Sequence, residues 1–299
     1  MKPVRKAVIP VAGLGARFLP ATKSVPKEML PVVDRPLIQY AIDEARAAGI
    51  EDFVLVTGRG KSAIEDYFDH AYELEAVLES RHKIQELAAL ECTNLEAGRI
   101  MYTRQQVPLG LGHAVWCARD FVGDEPFAVL LPDDLMHGAA PCLKQMVEAY
   151  RDLGGNLVAV MDVPRRHTDR YGIVSPGVTK GRVVEVKGLE EKPHPEEAPS
   201  TLSVVGRYIL DPAVFTHLSR LEAGAGGEIQ LTDALAKLVG TMPFYGYRFE
   251  GTRFDCGDKV GYLAANVVLG LERPDLGGEF RDFLKALDLD DAKGATRCA

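Results

Sequence analysis

Two glycines, Gly13 and Gly15, close a short apolar run, and Arg17, Lys23 and Lys27 follow within the next twelve residues. Glycines so placed let backbone N–H groups approach an anion, and the cations offset its charge. The pattern suits a polyphosphate. It is not a dinucleotide fingerprint, because Phe18 stands where the third glycine of G-x-G-x-x-G belongs. Pro20 and Pro26 also oppose a helix beginning directly after the glycines. The pattern G-x-x-x-x-G-K-[ST] is absent from the loop. What remains is G-x-G-x-R with Lys27 ten residues after Arg17, which points to a nucleoside triphosphate being cleaved. The glycine pair alone would fit a βα connection with solvated charges, and Lys23 fits a surface role as well as a phosphate contact.

Other chemistry-bearing residues are scattered along the chain. Asp133 and Asp134 end the apolar run Phe127–Leu131. A carboxylate at the carboxyl edge of a strand is a natural magnesium ligand, although an Asx turn leaving the strand would use the same residues. Adjacent strand residues point to opposite sides, so one metal need not take both. Gln105 and Gly110 lie in Gln-Gln-Val-Pro-Leu-Gly-Leu-Gly-His113, and a glutamine amide can donate to and accept from a base edge at once. Glu190-Glu191-Lys192-Pro193 follows the strand-like Arg182–Lys187. No G-x-S-x-G and no obvious nucleophile–base pair occurs.

The stretch V-A-G-L-G-A-R-F-L-P-A-T-K-S-V-P-K-E-M-L-P-V-V-D-R-P-L-I-Q-Y, from Val11 to Tyr40, resembles the signature of the sugar-nucleotide pyrophosphorylases. Its nearest likeness is to bacterial members using UTP and glucose 1-phosphate. The resemblance covers most of the chain and thins after about Pro274. It implies a Rossmann-like three-layer α/β fold with a mostly parallel central sheet and a mixed sugar-binding half. It implies transfer of a uridylyl group from UTP to α-D-glucose 1-phosphate, giving UDP-glucose, a polysaccharide precursor, and pyrophosphate. Carried over by position, Arg17 and Lys27 hold the triphosphate, and Gly15 shapes their loop. Ala12, Gly13, Gln105 and Gly110 meet the base, with Glu28 near the nucleoside. Asp133 and the Asp255 of a D-x-G element share Mg2+, and Asp134 joins the substrate contacts. Glu191, Gly172 and Gly206 receive the sugar, and Lys192 its phosphate. Arg17, which a non-catalytic paralogue type of this family lacks, argues for activity. A thymidylyl-transferring or other sugar-1-phosphate relative, a regulatory sugar-nucleotide-binding paralogue, and a nicotinamide dehydrogenase are the rivals.

These residues need a scaffold. Lys6–Ala12, Phe53–Thr57, Arg99–Thr103, Phe127–Leu131 and Asn156–Asp162 read as strands. Pro36–Ala48, Ala63–Phe68, Glu73–Leu90, His113–Phe121 and Cys142–Leu153 read as the intervening helices. The alternation implies a parallel sheet whose ligands bind beyond the strands' carboxyl ends. In the second half, Arg182–Lys187 and Ser203–Leu210 read as strands, and Ile229–Val239 and Asp258–Glu272 as helices, with Asp258 as an N-cap. We divide the chain into a nucleotidyltransferase domain over 1–274, with halves at about 1–155 and 156–274, and a helix with polar tail over 275–299. In the resembling family an excursion like 58–94 joins subunit contacts, which implies a homodimer or homotetramer.

With 299 residues, 46% of them hydrophobic, the chain has ample material for a core. Its net charge of −8 opposes a general role in binding nucleic acid. No apolar run approaches the ~20 residues of a membrane span. Five cysteines without C-x-x-C spacing fit a reducing cytoplasm rather than zinc or disulfides.

Overall fold

A computed structural model describes residues 2–220 and 222–288. In chain order the main elements are β1 Lys6–Pro10, α1 Leu37–Ala47, β2 Asp52–Thr57, α2 Ser62–Phe68, α3 Tyr72–Ser80, α4 Ile84–Glu91, β3 Ile100–Arg104, α5 Leu111–Cys117, β4 Phe127–Leu130, β5 Asp134–His137 and α6 Cys142–Leu153. They continue with β6 Asn156–Asp162, β7 Gly172–Lys180, β8 Val183–Glu191, β9 Leu202–Leu210, α7 Leu231–Ala236, β10 Phe244–Arg248, β11 Thr252–Asp255, α8 Lys259–Glu272 and α9 Gly277–Ala286. Nine strands form one sheet in the order β3-β2-β1-β4-β9-β6-β10-β8-β7. The run β3-β2-β1-β4 is parallel throughout, and beyond it the pairings are antiparallel except for the parallel pair β6/β10.

The first strands are continuous apolar runs because both faces of the sheet are covered. Side chains alternate across it. Val8, Val54 and Val129 enter one core with Val115 of α5 and Leu235 of α7. Ile9, Leu55 and Leu130 enter the other with Ile42 of α1 and Met146 of α6. That is the expected three-layer α/β arrangement. Between layers, Arg207 on β9 is almost fully buried and donates to both oxygens of Glu44 on α1. Its remaining donor reaches the Leu131 and Gly206 carbonyls, each at 3.0 Å. A buried ion pair of this kind is tolerated because its hydrogen bonds are met.

Three expectations need correction. Glu73–Leu90 is two helices, broken where His82 adopts a φ of 54°. Neither helix buries a residue, so no buried core holds the two as one continuous helix. The helix expected over His113–Phe121 runs Leu111–Cys117, with a separate turn at Arg119–Val122. That expected over Ile229–Val239 begins at Leu231, because Ile229 pairs its backbone with Leu109 and Gly112. The ribbon β5/β11 was not foreseen; it sets Asp134 opposite Asp255. Asp258 caps α8, accepting from the Val260 N–H at 2.9 Å. Residues 289–299 of the expected tail lie outside the described residues.

Candidate active site

Strand order reverses between β1 and β4, so the loops after these strands part and leave a crevice at their carboxyl ends. The loop after β1 brings Ala12, Gly13, Gly15, Arg17, Lys27 and Glu28 into a space of about 580 Å3, which Gln105, Gly110 and Asp133 complete. A second space of about 270 Å3 adjoins it, lined by Asp134, Gly172, Glu191, Lys192, Gly206 and Asp255. Arg17, Leu131 and Asp133 line both. All fifteen residues singled out as site residues therefore converge on one composite cleft. Lys23 is exposed and lines neither space.

Gly15 turns the loop with a φ of 67°, and Thr22 Oγ1 donates to its carbonyl at 2.7 Å. Arg17 is solvent-exposed, with one guanidinium nitrogen 3.4 Å from the Gly257 carbonyl. Lys27 donates to Asp133 Oδ2 at 2.5 Å. Burial pulls the lysine's pKa down, but Asp133 and Glu28 outweigh it and hold the ammonium above its ordinary value. Burial likewise favours a neutral Asp133, and Lys27 outweighs it, keeping the carboxyl below the usual range. Glu28 is fully buried and accepts from Lys61 Nζ at 2.8 Å. Burial pushes its carboxyl up, against the pull of Lys61 and Lys27. The wrong-signed charge beside a phosphate loop is thus answered by a buried lysine.

The donor set fits a magnesium ion. A Cβ built on Gly257 would meet Asp133 Oδ2 at 3.0 Å and Asp255 Oδ1 at 3.1 Å, so both carboxylates reach one small volume that the glycine leaves open. Two carboxylates completed by substrate phosphates and water are a usual magnesium environment. Asp134 behaves differently from expectation. Its Oδ1 accepts from Arg253 at 2.7 Å, and its Oδ2 from the Gly206 N–H at 2.7 Å. Both oxygens are spent inside the protein, so Asp134 is a strut of the cleft wall. Gly206 is explained by the same contact. A Cβ there would meet Asp134 Oδ2 at 2.5 Å, so the glycine's bare side faces that carboxylate.

In the second space, Glu191 pairs in register with Gly172, and the Lys192 N–H donates to the Tyr171 carbonyl at 3.0 Å. A Cβ on Gly172 would crowd Thr232 and Glu191. Lys192 adopts a φ of 49°, rare for a residue with a side chain, and its ammonium lies 3.2 Å from Glu191. Strained backbone of this sort gathers at functional sites. In the first space, Gly110 has a φ of 106°, and a Cβ would strike Glu228 Cβ and the Ile229 carbonyl at 2.8 Å. Its glycine is required by that packing, not only by an approaching ring. Gln105 is buried and donates to the Gly110 carbonyl at 3.0 Å.

A sequence model of the nucleotidyl transferase family matches residues 6–270. The chain belongs to that family. It is 59% identical over 260 residues to a UTP–glucose-1-phosphate uridylyltransferase of Komagataeibacter xylinus, covering 87% of this chain and 92% of the relative. A solved UTP-bound UGPase from Acinetobacter baumannii aligns with a TM-score of 0.88 at 45% identity, over 95% of this chain and all of that one. A UDP-glucose pyrophosphorylase complexed with UDP-glucose aligns at 0.80 and 42% identity, over 90% of this chain and all of that one.

Within this nucleotidyl transferase, sequence reasoning missed Arg253 and Lys61. Arg253 had a readable signal, since it lies two residues before Asp255 on one strand and therefore on the same face. It touches Asp134, Asp255 and the Tyr171 hydroxyl together. Lys61 offered none, being joined to Glu28 only by the fold.

Proposed function

We propose that the protein transfers the uridylyl group of UTP to α-D-glucose 1-phosphate, releasing UDP-glucose and pyrophosphate. The observation that carries this is the composite cleft, in which a cationic glycine loop and a sugar-type pocket share Arg17 and Asp133. The nucleophile is a phosphate oxygen, already ionised near neutral pH because the second pKa of a phosphate monoester is about 6. No general base is needed, and the chemistry reduces to alignment and charge stabilisation. Arg17 and Lys27 bind the triphosphate and the charge that develops on pyrophosphate. Lys192 orients the attacking phosphate, and Glu191 accepts from sugar hydroxyls. Ala12, Gly13, Gln105 and Gly110 contact the base. Asp133 and Asp255 would hold Mg2+, which when bound offsets the phosphates' charge. A pyrophosphate-release screen crossing nucleoside triphosphates with sugar 1-phosphates tests the reading: preference for UTP with glucose 1-phosphate is expected, and preference for dTTP or another sugar would overturn it.

We assign residues before about 156 to the nucleotide and those after it mainly to the sugar. The exposed apolar side chains Tyr72, Leu74 and Val77 of α3 and Ile84 of α4 support self-association into a homodimer or homotetramer. Light scattering at several concentrations checks this. Among the described residues four cysteines, Cys92, Cys117, Cys142 and Cys256, are free, which supports a cytoplasmic setting. Among the described residues no helix is long and apolar enough to cross a membrane.

A further inference from the structure

Gln105 directly follows β3, with its amide buried between two acceptors. Its Nε2 lies 3.0 Å from the Gly110 carbonyl and 3.0 Å from His113 Nδ1. A carbonyl only accepts, so the amide group facing Gly110 is the NH2. The His113 nitrogen beside that same NH2 must then accept too. His113 is therefore neutral, with its proton on Nε2, the nitrogen that faces Cys117 Sγ at 4.0 Å. Burial lowers its pKa, in keeping with a neutral ring. The ring itself is held in place by stacking on Trp116, with centroids 5.9 Å apart.

Both N–H groups of the Gln105 amide are thereby turned inward. Among the described residues its Oε1 accepts no hydrogen bond, and the side chain lines the nucleotide space. The exposed end of the amide is an acceptor with fixed polarity. The ring N3–H of uracil complements it. Cytosine offers a lone pair at N3, which would meet the lone pairs of Oε1.

We infer that His113 is a positioning residue for base selection: by accepting from Gln105 Nε2 it fixes the amide so that Oε1 reads an N3–H. This rests on the reading of Gln105 as a base contact. Without an acceptor at position 113, one amide N–H loses its partner, and the Gly110 carbonyl alone opposes a turn of the NH2 toward the base, the orientation that suits cytosine. His113 touches no reacting phosphate, so its loss should leave the chemical step alone.

The experiment compares kcat and KM for UTP and CTP in His113→Leu, His113→Asn and Gln105→Leu. In His113→Leu the ratio of kcat/KM for UTP over CTP should fall roughly tenfold, the equivalent of one buried hydrogen bond. Its kcat at saturating UTP and its KM for glucose 1-phosphate should stay unchanged. His113→Asn can place an amide oxygen near the Nδ1 position and should restore most of the selectivity. If Gln105→Leu relaxes selectivity while His113→Leu does not, the role given to His113 is overturned and the base reading by Gln105 stands. If Gln105→Leu leaves the ratio intact, the base reading itself falls. Nitrogen-15 NMR of the His113 ring provides a check independent of any variant's folding. The proton should reside on Nε2, and a proton on Nδ1 would overturn the inference.

Discussion

Lys27 and Asp133 neutralise one another across the nucleotide crevice, Nζ donating to Oδ2 at 2.5 Å. The first belongs to the glycine loop after β1, the second to the loop after β4, so the contact joins the two lips of the cleft. Each group is held ionised by the other against burial. Under the proposed mechanism the lysine serves the departing pyrophosphate and the carboxylate serves magnesium, so substrate loading must divide the pair.

Lys27→Ala should therefore act on the transition state more than on the ground state. Charge moves onto pyrophosphate only as the reaction proceeds, and an interaction strengthened at that moment appears in kcat. We expect kcat to fall by about 100-fold or more, with a smaller rise in the KM for UTP. Steady-state kinetics decide it; a rise in KM with kcat unaltered would reduce Lys27 to a ground-state anchor.

Removal of divalent metal should abolish turnover, and added Mg2+ should restore it. The carboxylates that reach the same volume beside Gly257 are those of Asp133 and Asp255. Asp255→Asn keeps the shape of the side chain and removes its charge, so turnover should drop by about two orders of magnitude or more. The fold should survive, because Asp134 still partners Arg253. Activity is followed by pyrophosphate release and folding by circular dichroism. Full turnover in excess chelator would defeat the assignment.

The two halves of the cleft should separate in binding. Lys192→Ala removes a charge-assisted contact at the attacking phosphate, so the KM for glucose 1-phosphate should rise strongly while UTP binding without sugar barely changes. Gln105→Ala should weaken UTP binding by about 1–3 kcal/mol and leave sugar preference alone. Calorimetry with UTP and steady-state titration of the sugar phosphate measure both. Loss of UTP binding in Lys192→Ala without sugar present would show that the division is wrong.

Much of this arrangement was legible because the relevant signals are local. Continuous apolar runs marked the parallel strands, and Gly13, Gly15, Arg17 and Lys27 marked the phosphate loop within one stretch of chain. Gly172 and Glu191, which the resemblance assigns together to the sugar, are direct neighbours in the register of β7 and β8. The packing partners of other site residues were not legible. Asp134, Gly206 and Gly110 each sit beside a motif, and each is also held by a group elsewhere in the protein. Their partners, Arg253, Asp134 itself and Ile229, are distant in sequence, and nothing local announces which buried group will consume them. Four-residue strands such as β5 and β11 are likewise too short for a period to declare itself.

Arg253 is the residue on which that hidden network turns. Only 8% of its side chain is exposed, and its guanidinium lies 2.5 Å from Asp134 Oδ1 and 3.3 Å from Asp255 Oδ2. Its other nitrogen donates to the Tyr171 hydroxyl at 3.3 Å. Burial raises the Asp134 carboxyl pKa, with Asp133 and Asp255 adding to the rise and Arg253 opposing it. Arg253→Met would leave the Asp134 and Asp255 carboxylates facing one another without their shared cation. Breaking a buried pair in this way costs about 3–5 kcal/mol, because the remaining charge stays desolvated. Arg253→Met should therefore lower the urea midpoint substantially. Asp134→Asn on that background should recover part of the loss, since it removes the more deeply buried of the stranded charges. The recovery should be confined to stability, with turnover still depressed because Asp255 and Tyr171 have lost their common donor. Equal destabilisation in the single and double variants would mean that Arg253 acts through packing rather than charge.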